Sequence, residues 1–95
     1  MKVVKNVCFG GFGLSNAAIE RLVELTGKSE RDCYRDYNLE ENRAAPELVQ
    51  VVEELGEKSW GSFAQLVVVE IPDDVEWYIS EDDGWETIEE VHRFW

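Results

Sequence analysis

Apolar residues recur along this chain in several distinct rhythms, and each rhythm predicts a different element. Val3, Val4, Val7, Cys8 and Phe9 fall on both sides of an alternating pattern, which predicts an N-terminal strand internal to a sheet. Lys5 must then reach an edge or a pocket. Ala18, Ile19, Leu22, Val23 and Thr26 return at helical spacing, so a first helix is expected over residues 16–26. Ser15 is placed to cap it, Leu14 and Ile19 to staple its entry, and Gly27 to close it in a left-handed turn.

A second helix is expected over residues 46–55, where Pro46 suits the first helical position and Leu48, Val51, Val52 and Leu55 form a stripe ending at Gly56. Leu66-Val67-Val68-Val69-Glu70-Ile71 is β-branched on both faces and stopped by Pro72, the pattern of a central strand. Val75, Trp77 and Ile79 alternate with polar neighbours, and Asp82-Asp83-Gly84 leads into Trp85-Glu86-Thr87-Ile88. That is a hairpin signal, with Trp77 and a partner aromatic on one face. Residues 28–45 carry Tyr34 and Tyr37 among charges without a clear period, and read as a long, partly extended connection with a local role of its own. The segment 89–95 fits a strand or a last turn of helix. Together these elements define an α+β fold in a single domain, 1–95. It has an internal N-terminal strand, two helices on one face of a small, mostly antiparallel sheet, and a C-terminal β-hairpin.

Composition narrows the picture. Ninety-five residues with 44% hydrophobic content suit one core and no more. No apolar run approaches the ~20 residues of a membrane span, and Met1–Asn6 lacks the apolar centre of a signal peptide, so a cytoplasmic protein is expected. Cys8 and Cys33 are too few for a disulfide scaffold or a four-ligand zinc site, which fits a reducing compartment. The net charge of −12 is unevenly spread. Residues 1–28 carry four basic against two acidic side chains, whereas residues 73–90 carry nine acidic and no basic ones. Duplex nucleic acid would be repelled by that block, and a basic protein surface attracted.

Candidate chemistry centres on the glycine turn Phe9-Gly10-Gly11-Phe12-Gly13-Leu14-Ser15, between the first strand and the first helix. Glycines there let backbone N–H groups face a ligand, and the helix start adds unpaired donors and partial positive charge. The alternative is a tight connection that needs glycine only for positive φ and close packing. Phe12, flanked by two glycines, is either a core plug or an exposed stacking platform. Gly11-Phe12-Gly13-Leu14-Ser15-Asn16 lacks the third glycine of a dinucleotide fingerprint, and no second βαβ half follows. Leu25-Thr26-Gly27-Lys28-Ser29 carries the letters of a phosphate loop but closes a helix instead of opening one. His92, Arg93 and Trp95 place an imidazole, a phosphate-binding fork and an aromatic ring together. They serve either a nucleotide pocket or as a clamp on the core. No catalytic set, metal site or cofactor is indicated; His92 as an acid or base of a nucleotide hydrolase is the weakest alternative.

The order of Val7–Ser15, Leu48–Gly56, Val69–Trp77 and His92-Arg93-x-Trp95 resembles a family of small acidic tailed-bacteriophage proteins without an assigned activity. The resemblance spans nearly the whole chain. Ala44-Ala45-Pro46 departs from it, because relatives are expected to carry an acidic helix cap before the proline. A phage setting implies an accessory, counter-defence role in the host cytoplasm. The expectation is a homo-oligomeric sponge that sequesters a small nucleotide or ADP-ribose-like signal without turnover. Gly10, Gly11, Phe12, Gly13, Ser15, His92, Arg93 and Trp95 would line its ligand site. The alternative is an acidic, nucleic-acid-mimicking inhibitor that binds a host protein.

Overall fold

The computed structural model describes residues 1–91. Strand β1 (Lys2–Asn6) leads through the glycine turn into α1 (Asn16–Thr26); α2 (Glu30–Asn38), a 3-10 turn (Glu40–Asn42) and α3 (Pro46–Leu55) follow. Strand β2 (Leu66–Glu70) and the hairpin β3 (Trp77–Asp82) and β4 (Trp85–Glu90) complete an α+β fold.

Local chemistry sets the helix boundaries. Ser15 Oγ accepts from the Ala18 N–H at 3.1 Å, and Gly27 at φ 74° ends α1 by donating its N–H to the Val23 carbonyl. Pro46 opens α3 as expected, but Ala45 offers no side-chain cap. The expected extended connection over 28–45 is instead largely helical. Ser29 caps α2 through the Asp32 N–H, and Cys33 and Tyr37, one turn apart, are its buried residues. Two buried side chains suffice because α2 packs against α1 and leaves its charged faces to solvent. The fold therefore has three α-helices among the described residues where the periodicity revealed two.

The strands form two separate antiparallel ribbons, β1–β2 and β3–β4, in place of one sheet. In the first, Val4 faces Val68 and Lys5 faces Val67. The bonds of Ile71 N–H to the Met1 carbonyl and of Val7 N–H to the Gln65 carbonyl, both 2.8 Å, fix which residues share ladder bonds. Odd-numbered β1 residues bond β2, so the N–H groups of Val4 and Asn6 point away from it. Val4 donates to the Arg43 carbonyl at 2.9 Å, and Asn6 donates to Glu86 Oε1 at 2.8 Å. A loop carbonyl and a carboxylate thus complete the inner edge of β1 where a third strand would lie. β2, expected to be central, has one neighbour and one open edge among the described residues.

Val4 and Leu66 join Leu22, Leu48, Val51 and Tyr37 in the main buried cluster between the first ribbon and the helices. The hairpin turns on Asp83 and Gly84, at φ 51° and 91°, the pair of positive values that a two-residue turn between twisted strands requires. Trp77 lies opposite Glu90, not an aromatic residue. Trp85 lies against an aromatic partner from outside the hairpin, 5.2 Å from Phe9.

Tyr37 gives the fold an alkaline limit. Burial, and then the bond its hydroxyl donates to Glu47 Oε2 at 2.9 Å, hold its ionisation well above the ordinary tyrosine value. Folding favours the protonated phenol, so its contribution is complete below about pH 10 and is lost as pH rises toward the folded-state value. Tyr37→Phe is expected to cost about 1 kcal/mol at neutral pH and to flatten the decline in melting temperature above about pH 10. Parallel pH profiles for the two proteins would assign that decline to other groups.

Candidate functional site

The glycine turn is shaped by backbones that pass at contact distance. A Cβ built on Gly10 would sit 2.2 Å from the Phe63 carbonyl oxygen, and one on Gly61 would sit 2.8 Å from the Gly13 carbonyl carbon. Gly11 has φ 91°, a conformation in which a side chain is strained. Gly61 N–H donates to the Gly13 carbonyl and Ser15 N–H to the Ser59 carbonyl, each at 2.9 Å. The turn is thereby stitched along residues 59–61. Gly11 N–H is turned back to the Cys8 carbonyl, and Ser15 Oγ serves the helix cap while donating to the Lys58 carbonyl.

Along the outer side of this seam runs a cleft of about 450 Å³, with Gly11, Phe12, Gly13 and Ser15 on one wall and Trp60, Ser62 and Phe63 on the other. Among the described residues that line it, only the Tyr34 phenol is ionisable. At Asn16 and Tyr34 it meets a second hollow of about 640 Å³, where Glu20, Glu30 and Arg31 supply the charges. The combined groove is aromatic and neutral at one end and charged at the other. Tyr34, 55% exposed, stands where the two lobes join.

Phe12 is neither a sealed plug nor a free platform. It is half-buried against the core, and the Arg43 guanidinium lies 3.5 Å from its ring centroid, a close cation–π contact. Arg43 Nη1 donates to Glu86 Oε1 at 2.6 Å and Nη2 to the Asn38 carbonyl at 3.1 Å; its buried Nε has no hydrogen-bond partner among the described residues. Asn6 completes this hub. Its Nδ2 donates to the Cys8 and Gly84 carbonyls, and its Oδ1 accepts from the Gln65 N–H. One wall of the cleft thus rests on a buried ion pair that joins β1, the α2–α3 connection and the hairpin.

Of the residues singled out in the sequence, Gly11, Phe12, Gly13 and Ser15 line the cleft together. Gly10 does not line it; its role is the close passage of Phe63. His92, Arg93 and Trp95 lie outside the described residues. The reading of the sequence missed Tyr34, Trp60, Phe63 and Arg31. No sequence signal marked Tyr34; its outward direction follows from α2 itself, where it directly follows the buried Cys33 and so lies off the Cys33–Tyr37 face. Among the described residues no group of three or more His, Cys, Asp or Glu is placed to hold a metal ion, and no helix is long and apolar enough to cross a membrane. No protein-family model matches the chain, and neither does a curated protein or a solved structure.

Proposed function

We propose that the protein binds a small nucleotide or ADP-ribose-like molecule in this groove and holds it without turnover. The observation that carries the reading is the continuity of a neutral aromatic cleft with a charged lobe across Tyr34. A purine ring is planar and stacks on aromatic faces without needing charge. Ribose hydroxyls are natural donors to carboxylates such as Glu20 and Glu30, and Arg31 can neutralise a phosphate. The glycine turn contributes shape more than amide donors, because the N–H groups of Gly11 and Ser15 are already engaged. Sequestration in the host cytoplasm by a homo-oligomeric phage accessory protein, as the family resemblance implies, is the setting in which stoichiometric binding of such a signal would be useful.

Calorimetry with ADP-ribose and with cyclic nucleotides tests this directly. One of them is expected to bind and to stabilise the fold by about 2.7 kcal/mol at a hundredfold excess over Kd. Tyr34→Ala is expected to weaken it about tenfold or more through lost stacking, and Arg31→Ala to weaken phosphorylated ligands more than the corresponding nucleosides. The ligand should be recovered intact after denaturation. A cleaved product would replace sequestration with hydrolysis, and binding indifferent to Tyr34→Ala would move the site elsewhere.

A further inference from the structure

Three large rings stand out of the surface where the glycine turn, the loop after Trp60 and the hairpin turn converge. Phe9 is 67% exposed, Phe63 76% and Trp85 38%, and none belongs to the main buried cluster. Their proximity follows from the backbone. The Phe9 and Trp85 rings are 5.2 Å apart, Gly10 passes so close to Phe63 that a Cβ there would lie 2.3 Å from the Phe63 Cβ, and Gly84 abuts the Phe9 carbonyl oxygen in the same way at 2.6 Å. The rings are therefore mounted on three chain segments locked against one another. Grouped exposed rings of this size mark recognition surfaces, and a rigid mount lowers the ordering cost of using them.

The surroundings select the partner. Glu81, Asp82 and Asp83 are exposed on the same hairpin, and Asp82 lies directly across from Trp85. Between residues 73 and 90 no basic side chain offsets them. An aromatic centre with a charged rim is the layout of a protein-binding hot spot, and the sign of the rim sets the charge of what it accepts. A second copy of this chain would set two acidic rims against each other, and nucleic acid would meet like charge. Arginine suits both parts of the tip, because its guanidinium pairs with carboxylates and stacks on rings.

We propose that this aromatic tip is a docking surface for a cationic protein segment in which arginines alternate with apolar side chains. The inference goes beyond the ligand groove and stands on different residues, Phe63 alone being shared.

The test uses three synthetic twelve-residue peptides, alternating Arg-Leu, Arg-Gly and Glu-Leu, titrated into the isotopically labelled protein and followed by amide NMR shifts. The Arg-Leu peptide is expected to move the signals of Phe9, Gly10, Phe63 and Trp85 first. The Arg-Gly peptide should bind at least about tenfold more weakly, and the Glu-Leu peptide not at all. Phe9→Ala and Phe63→Ala should each weaken the Arg-Leu complex by about tenfold; both side chains are exposed, and the same spectra report that the fold is kept. Asp82→Asn with Asp83→Asn, which keeps a residue tolerant of the left-handed backbone at 83, should weaken binding and flatten its salt dependence. Equal affinity for the Arg-Leu and Arg-Gly peptides, shifts centred on the helices, or no binding of any peptide would each overturn the proposal.

Discussion

Replacing Glu86 with alanine lowers the unfolding free energy by about 3–5 kcal/mol, the cost of leaving a buried cation without its counter-ion. The Arg43 and Glu86 side chains are almost wholly inaccessible, so water cannot substitute for either. The loss extends beyond the pair, because Glu86 Oε1 also accepts the Asn6 N–H that no strand satisfies. The measurement is urea unfolding, read as a fall in midpoint at unchanged slope. A double variant separates charge from shape. Arg43→Met with Glu86→Gln removes both charges while keeping an acceptor for Asn6, and is expected to recover at least about half of the loss, since replacing both members of a buried pair is far less damaging than removing one. A cost below about 1 kcal/mol for Glu86→Ala would show that the hairpin is held by other contacts, since surface pairs fall in that range.

Gly84→Ala is the second large effect, expected at about 2–4 kcal/mol. Its φ of 91° costs any side chain about 1–2 kcal/mol. The added methyl would also lie 2.5 Å from the Gly11 nitrogen and 2.6 Å from the Phe9 carbonyl oxygen, an overlap with backbone that costs a further 1–3 kcal/mol or so. Gly27→Ala provides the control. Gly27 has a similar φ of 74°, but a Cβ there meets nothing within 4 Å, so only the backbone cost of about 1–2 kcal/mol remains. Equal losses at the two positions, measured by the same unfolding experiment, would remove close approach as the reason for glycine at 84.

What the sequence revealed and what it hid divide along physical lines. α1, α3 and the hairpin were legible because each carries both a periodic apolar set and a punctuation residue: Ser15 and Gly27, Pro46 and Gly56, Asp83 and Gly84. α2 was hidden because six of its nine residues are charged or asparagine, which leaves Cys33 and Tyr37 too sparse to show a period. The buried hub was hidden for a different reason. Asn6, Arg43 and Glu86 come from three distant segments, and Glu86 sits inside an acidic block whose other members are exposed. Its inward direction could have been read from β4, where it shares a face with Ile88, just as Asn6 shares one with Val4. The candidate groove was legible only on its glycine wall. The opposite wall comes from residues 60–63, and no local pattern announces that a loop some fifty positions away will lie alongside.

The carboxylate that completes the inner edge of β1 also bears on the order in which the molecule assembles. The Asn6 amide meets its acceptor across 80 positions of sequence, so during synthesis the first strand is made long before the group that satisfies it. Helices α1 to α3 and the β1–β2 ribbon can form while that amide still faces water, and the last ribbon then arrives as a latch. Maturation by this route depends on a late, non-local closure, and such closures slow folding. A chain interrupted before residue 86 would lack the carboxylate that locks its beginning in place and pairs with the buried Arg43.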